Sequence, residues 1–404
     1  MSIELLCDKK YCCGCGACSQ VCPKKAITMR EDEYGFCYPF INEKKCIECG
    51  ACLKVCQYHN PVMRYAVSST YAAAINDERI LKSSSGGAFA EIARIFIRSG
   101  GTVVGAAMTK EEGWLEPVHR FVESENEIPQ IQGSKYVQSN LNNTYTEVKT
   151  RLQKGERVLF SGTPCQIAGL RAYLKRDYDS LYTVDVICHG VPNARMFNEY
   201  IRLYSKKMKG EIVDYRFRDK QLGWGINMRA YIDMKSGRQI EKIVPPEMSS
   251  YFSLFLRSDI TRESCINCCY ASSKRVADMT LGDYWGINTA HPDAIKSKIL
   301  DDKQGVSCVF INTDKGKKLF EEMRGDIATV HSDYQTAIRF NGQAERPVKE
   351  PKTRKGALQS YRNGGYEALE RYYWSTVGNK KYYYLIKNII PRRIRVFIKK
   401  KMGK

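Results

Sequence analysis

No apolar run in this 404-residue chain reaches the roughly 18 residues that a membrane-spanning helix requires. The opening residues lack a charged stretch followed by an apolar one, so no secretory leader is expected. No known nucleic-acid module is recognisable, which argues against nucleic acid as a partner. The 17 cysteines are odd in number, and in a leaderless chain they argue for thiolate ligands in a reducing interior rather than a disulfide framework. The cytoplasm is the expected location. Acidic residues are missing from one stretch: residues 380–404 carry ten Lys or Arg and no Asp or Glu. The rest of the chain is only mildly basic. The formal net charge is +20.

Two copies of one cysteine motif are present. Cys12, Cys15, Cys18 and Cys22 follow C-x2-C-x2-C-x3-C spacing and precede Pro23; Cys46, Cys49, Cys52 and Cys56 repeat it 34 positions later. Short loops with this spacing wrap cubane iron–sulfur clusters, and in paired motifs the fourth cysteine of each run ligates the other cluster. One 4Fe-4S cluster is therefore expected on Cys12, Cys15, Cys18 and Cys56, and a second on Cys46, Cys49, Cys52 and Cys22. A single run would also suit zinc, but two full runs at a fixed repeat argue against it. Gly14, Gly16 and Gly50 allow backbone to approach the sulfides closely. Gln57 stands where the second run's proline would be. Cys7, Cys13 and Cys37 fall off the spacing and read as bystanders. Residues 32–39 read as a small hairpin packed on the clusters.

The chain is too long for these clusters alone. Residues 1–62 form the expected cluster domain, 66–345 a larger domain and 346–404 a basic, aromatic tail. Residues 71–75 read as a strand. Ser83–Gly87 leads into an amphipathic helix over 88–98, stopped by Gly100–Gly101 and followed by a buried strand over 102–107. Residues 157–162, 163–174 and 182–188 read as strand, helix and strand, a parallel crossover unit. Functional groups in such sheets gather at the carboxyl ends of strands. That places Cys165 and Cys188 side by side. Cys265 and Cys268 follow before a strand over 277–282. These four cysteines suit a third 4Fe-4S cluster; zinc at the same sulfurs, or unrelated core cysteines, fit the spacing too. Cys308 lies in an apolar run and reads as core. The expected fold combines α+β and α/β parts: a small ferredoxin-like two-cluster domain, then a larger α/β domain for flavin and iron–sulfur.

Several short motifs now add up. They are Ser84–Ser85–Gly86–Gly87, Gly133–Ser134–Lys135–Tyr136, Gly162–Thr163–Pro164–Cys165–Gln166, Cys188–His189–Gly190, Cys265-x2-Cys268, Ala277–Asp278 and Gly282–Asp283–Tyr284–Trp285–Gly286. Over roughly residues 70–290 the chain resembles the beta subunit of coenzyme F-420 hydrogenases and dehydrogenases, with a ferredoxin domain fused in front. The resemblance implies FAD, one 4Fe-4S cluster in the large domain and hydride exchange with a deazaflavin. It also makes Cys165, Cys188, Cys265 and Cys268 the cluster ligands.

A flavin fits the chemistry, since it converts between two-electron hydride carriers and one-electron clusters. Ser84, Ser85, Gly86 and Gly87 at a helix start offer N–H donors and the positive end of the helix dipole to its pyrophosphate; a plain capped turn reads the same way. Lys135 would add charge. Asp283, at a strand end, would bind flavin ribose or cap a turn. His189 borders a ligand, as proton relay or structural histidine. The expected function is an iron–sulfur flavoprotein oxidoreductase. It would pass electrons between a redox partner protein or ferredoxin and a small-molecule substrate, either a coenzyme F-420-like hydride carrier or a glycan-pathway metabolite. The rival is a non-catalytic electron-transfer subunit serving a separate enzyme. Residues 347–355 read as a linker and 366–374 as an aromatic stretch packed on the body. Residues 380–404 suit an amphipathic helix on an anionic membrane face, or a solvated, partly docked one.

Overall fold

The computed structural model describes residues 7–389. Its centre is an eight-stranded sheet. From one edge to the other the strands are Ala328–Ser332, Ser69–Ala74, Ser307–Ile311, Met279–Asp283, Leu181–Val186, Val158–Gly162, Thr102–Glu111 and Trp114–Val122. The four strands from Met279–Asp283 to Thr102–Glu111 are mutually parallel, and the outer pairings are antiparallel. Parallel strands are covered on both faces, which is why Val158, Leu159, Phe160 and Val184 are all buried.

The strand expected over 102–107 runs on to Glu111 and turns back as Trp114–Val122, a hairpin that the sequence pattern did not announce. Pro117 sits in that return strand, which is tolerated because the strand lies at the sheet edge. The helix Pro164–Leu174 starts where Thr163 and Gln166 form a capping box with proline in the first turn. This fixes Cys165 at the carboxyl end of the strand before it. The helix Ala88–Arg98 buries Ile92, Ala93 and Phe96 against the sheet.

A second, three-stranded antiparallel sheet (Gly210–Arg216, Met228–Met234, Gln239–Val244) packs with the helices Ala194–Met208, Ser250–Leu256 and Arg354–Val377. In the last of these, buried Tyr366, Leu369 and Tyr373 seat the aromatic stretch on the body, past a kink at Gly364–Gly365. A further helix, Lys380–Ile389, leaves Tyr382, Tyr383 and Ile386 exposed. The remaining part of the basic tail, 390–404, lies outside the described residues. No described helix is long and apolar enough to cross a membrane.

The front segment carries its hairpin as Ile27–Glu31 paired with Cys37–Ile41. It docks closely on the rest. Ala17 and Val55 join the core around Tyr145 and Phe160, and Phe36 and Tyr38 join the core around Phe197 and Tyr251. A two-stranded pairing of Tyr65–Ala66 with Lys274–Arg275 ties the chain leaving the front segment to the stretch after Cys268.

Candidate functional site

The front cysteines separate into two groups. Cys12, Cys15, Cys18 and Cys56 line one hollow together with Gly14, Gly16 and Val55. Burial, then the charges of Cys15, Cys12 and Cys56, push the Cys18 thiol up. In the other group the Cys52 thiol is raised by burial and, more weakly, by Cys46 and Cys22. Cys22 also accepts a bond from the Ala26 N–H at 3.2 Å. Cys56 thus lies with the first three cysteines of the first run, and Cys22 with Cys46 and Cys52 of the second. Cys49 is exposed. Gly14 has φ 65°, and a Cβ there would come within 2.5 Å of Arg262 Nη2, so only glycine fits.

The scattered cysteines also meet. Cys165 lies just past the strand Val158–Gly162, Cys188 two residues past the strand Leu181–Val186, and Cys265 and Cys268 in and after the short helix Glu263–Ile266. Burial pushes the Cys188 thiol well up, reinforced by Cys265, Cys165 and Cys268. Cys265 is pushed up to about 11 by burial, and Cys268 to about 12 by burial and the neighbouring Cys165 and Cys265. These three thiols, pushed up by burial, and the neighbouring Cys165 are a donor set that a cationic iron core would satisfy, since a bound metal deprotonates its thiol ligands. Among the described residues, no three His, Cys, Asp or Glu side chains converge to hold a single metal ion.

Two cysteines read as bystanders have defined places. Cys7 is held protonated by donating to Cys12 and Cys56, and Cys56 falls to about 6 and Cys12 to about 7 chiefly through that bond. Cys13 donates in the same way to Cys15 and Cys165, and Cys165 falls to about 7. Cys13 therefore spans the front group and the scattered four. Gln57 joins it, donating from Nε2 to the Cys13 sulfur at 2.8 Å and to the Cys165 carbonyl at 2.9 Å. Cys37 is exposed, and Cys308 is fully buried in its strand.

At the carboxyl ends of the parallel strands lies a cavity of about 430 Å³, within the size range of cofactor sites. Cys165, Cys188 and His189 form one side and Ser84, Ser85, Gly87 and Lys135 another. Gly86 packs so tightly that a Cβ would lie 2.1 Å from the Ala73 carbonyl oxygen. The Ser84 hydroxyl accepts from the Ser134 N–H at 2.7 Å, joining two of the sequence motifs.

Three cations surround this loop. Arg218 donates to the Ser84 carbonyl at 3.0 Å, buried Lys220 donates to the carbonyls of Ile80 (2.9 Å) and Ser85 (2.5 Å), and Lys135 donates to the Gln132 carbonyl at 2.9 Å. Burial pushes Lys135 down to about 7; burial and, secondarily, Arg218 push Lys220 down to about 7. Arg218 and Lys220 could not be found from the sequence, since no local pattern marks them. Asp283 is engaged by Arg218 at 2.7 Å and by the Trp224 indole N–H at 3.1 Å, so its carboxylate orients the arginine. His189 donates from Nε2 to the Leu256 carbonyl at 3.0 Å, and burial pushes the ring down.

His119, also missed, lies in the cavity wall with Nε2 bonded to the Ser161 carbonyl at 3.0 Å. Its Nδ1 is buried without a partner. Burial holds the ring neutral and pushes it down to about 4. A cation-lined end, a neutral acceptor and a thiol wall within one cavity fit a large phosphate-bearing redox cofactor.

Residues 155–334 match the family model for the carboxy-terminal part of the coenzyme F420 hydrogenase/dehydrogenase beta subunit, and residues 11–60 match the 4Fe-4S dicluster domain. One subunit of the F(420)H(2) dehydrogenase of Methanosarcina mazei is 21% identical over 328 residues, covering 78% of this chain and 83% of that protein. An uncharacterized ferredoxin of Methanocaldococcus jannaschii is 40% identical over 40 residues, 10% of this chain and 52% of that one. Among solved structures, a chain of the F420-reducing NiFe hydrogenase complex from Methanosarcina barkeri aligns with TM-score 0.43 and 15% identity, over 76% of this chain and 91% of that one.

Proposed function

The chain belongs to the coenzyme F420 hydrogenase/dehydrogenase beta-subunit family, with a 4Fe-4S dicluster domain in front, and from that premise we propose that it is an iron–sulfur flavoprotein oxidoreductase. It is an iron–sulfur electron-transfer protein related to those beta subunits; the proposal adds FAD, a third cluster and a substrate. Cys12, Cys15, Cys18 and Cys56 would hold one cluster, Cys46, Cys49, Cys52 and Cys22 a second, and Cys165, Cys188, Cys265 and Cys268 the third. Bound FAD would supply the exchange between one-electron and hydride chemistry.

The observation that carries the reading is the cavity wall. Cys165 and Cys188 share one cavity with Ser84, Ser85, Gly87, Lys135 and Arg218. Ser84, Ser85, Gly86, Gly87, Lys135 and Arg218 would bind the pyrophosphate, with the helix Ala88–Arg98 adding its positive end and Lys220 holding the loop through the Ile80 and Ser85 carbonyls. Asp283 would fix Arg218 rather than touch ribose. Neutral His119 would accept a hydrogen bond from the cofactor or substrate at Nδ1. The expected partners are a ferredoxin or other one-electron carrier and a hydride-accepting small molecule, an F-420-like deazaflavin or a glycan-pathway metabolite. The exposed Tyr382, Tyr383 and Ile386 on a basic helix support peripheral contact with an anionic bilayer. Liposome sedimentation of a chain lacking residues 380–404 tests that contact, and undiminished binding ends it.

The test of the main reading is anaerobic purification with iron, sulfide and flavin analysis, followed by reduction trials with ferredoxin, NAD(P)H and a deazaflavin. About twelve iron atoms, four per cluster, and one flavin are expected. Iron without flavin leaves an electron-transfer subunit with no substrate of its own.

A further inference from the structure

Arg262 is a buried charge with no carboxylate beside it. It is 1% exposed. Its guanidinium donates from Nη1 to the Cys12 carbonyl at 3.0 Å, from Nη2 to the Cys37 carbonyl at 2.6 Å and from Nε to Gln138 Oε1 at 3.0 Å. Tyr38 and Phe36 present their ring faces at 4.5 and 5.5 Å. All these partners are neutral. The other buried arginines among the described residues each have a carboxylate within reach: Arg218 has Asp283, Arg229 has Asp219, Arg275 has Asp185 and Arg354 has Glu350. A buried ion left without an opposite charge is strongly unfavourable.

The position of Arg262 says what the opposite charge is. Its side chain runs to the main chain of Cys12, and its own carbonyl accepts from the Cys265 N–H at 3.0 Å. The Arg262 N–H is bonded to the Val191 carbonyl at 2.8 Å, on the loop that follows Cys188. The guanidinium is thus inserted between the front cysteine group and the scattered four. Gly14 leaves the room it occupies.

We propose that Arg262 is the built-in counter-charge of the clusters on either side of it, and that it raises their midpoint potentials. The proposal rests on the functional reading above for the scattered four and on the dicluster domain alone for the Cys12 group. When a one-electron donor of ferredoxin type reduces a cluster, the cluster gains one negative charge; no bond forms or breaks and no proton moves. Attraction to a fixed guanidinium is stronger in the reduced form, so reduction is favoured. The hydrogen bonds of Arg262 hold it in place but do not by themselves produce that bias.

The test is an EPR-monitored redox titration of the full chain, purified anaerobically, beside Arg262→Gln and Arg262→Lys, with iron and sulfide counted in each. Arg262→Gln keeps donors and loses the charge; Arg262→Lys keeps the charge and loses the fork. Arg262→Lys is expected to hold its iron and stay near the parent potential. Arg262→Gln is expected either to become at least tenfold harder to reduce, about 59 mV for one electron, or to lose iron that Arg262→Lys retains. Unchanged potentials in Arg262→Gln at full iron content overturn the proposal. So do equal shifts, or equal iron loss, in both variants. A parent chain with about eight iron atoms instead of about twelve removes the third cluster and the reading that contains it, while the shift in the front signals still decides the role of Arg262.

Discussion

The side-chain amide of Gln57 donates to the sulfur of Cys13 at 2.8 Å. The same nitrogen reaches the Cys165 carbonyl at 2.9 Å, so one side chain fastens the first cysteine run to the helix start that carries Cys165. Gln57→Leu keeps much of the volume and removes both bonds. A partner left unpaired in this way costs about 1–3 kcal/mol. The anaerobically handled variant is expected to unfold at lower denaturant by that amount while holding the same iron, because Gln57 is no ligand. Unchanged stability would show that the bond contributes nothing.

Lys135 and Lys220 are both pushed down to about 7, chiefly by burial. Lys135 lines the cavity and Lys220 holds the adjoining loop, so a phosphate bound there favours the charged form of Lys135 above all, and binding takes up a proton above that pH. FAD, or pyrophosphate as its charged fragment, is expected to bind with constant affinity below about pH 7 and more weakly as pH rises toward about 9. Each lysine that must be protonated on binding costs up to about tenfold per pH unit. Calorimetry in buffers of different ionisation enthalpy should show proton uptake at about pH 8, and Lys135→Met should reduce it. Binding that strengthens with pH contradicts the assignment.

Much of this arrangement was legible because its signals are local. Cysteine spacing alone pairs Cys56 with the first run and Cys22 with the second. The strand–helix–strand pattern over 157–188 puts Cys165 and Cys188 at the carboxyl ends of neighbouring parallel strands, and Val158–Gly162 and Leu181–Val186 do pair in parallel with the two cysteines just beyond them. What was not legible depends on long-range packing. Arg218 and Lys220 follow a strand of the second sheet and reach the Ser84 loop across more than 130 residues of chain. Cys13 and Cys7 fall off the ligand spacing, and only the folded chain makes them hydrogen-bond donors to ligand candidates. The proline-to-glutamine departure at residue 57 was visible, but its partner Cys165 lies 108 residues away. Asp283 was singled out for its place at a strand end, yet its job is set by Arg218, 65 residues earlier.

His119 gives a second pH signature of opposite range. Burial holds its ring neutral and lowers it to about 4, against about 6.5 in an unfolded chain. Between those values the unfolded state binds the proton and the folded state does not, so stability falls as pH drops from about 6.5 to about 4. The full contribution is about 3 kcal/mol, present above the unfolded value. His119→Asn is expected to flatten the acid limb of a stability–pH curve measured by denaturant titration. A wild-type curve with no slope in that window counts against a buried neutral His119.

Cys188 and Cys308 test the proposed division between ligand and core. Both are cysteines near the centre of the sheet, but Cys188 is surrounded by Cys165, Cys265 and Cys268, whereas Cys308 is sealed inside the strand Ser307–Ile311. On the proposed third cluster, Cys188→Ala removes one of four thiolate ligands, and a cluster that loses a protein ligand is expected to be lost or degraded, lowering iron by about four atoms per chain. Cys308→Ala leaves a small cavity, so it is expected to lower stability by about 1 kcal/mol and leave iron unchanged. Iron and sulfide analysis of the two variants, with denaturant titrations beside them, reads both effects. If Cys188→Ala keeps every iron atom, the scattered cysteines hold no cluster and only the front eight remain as ligands.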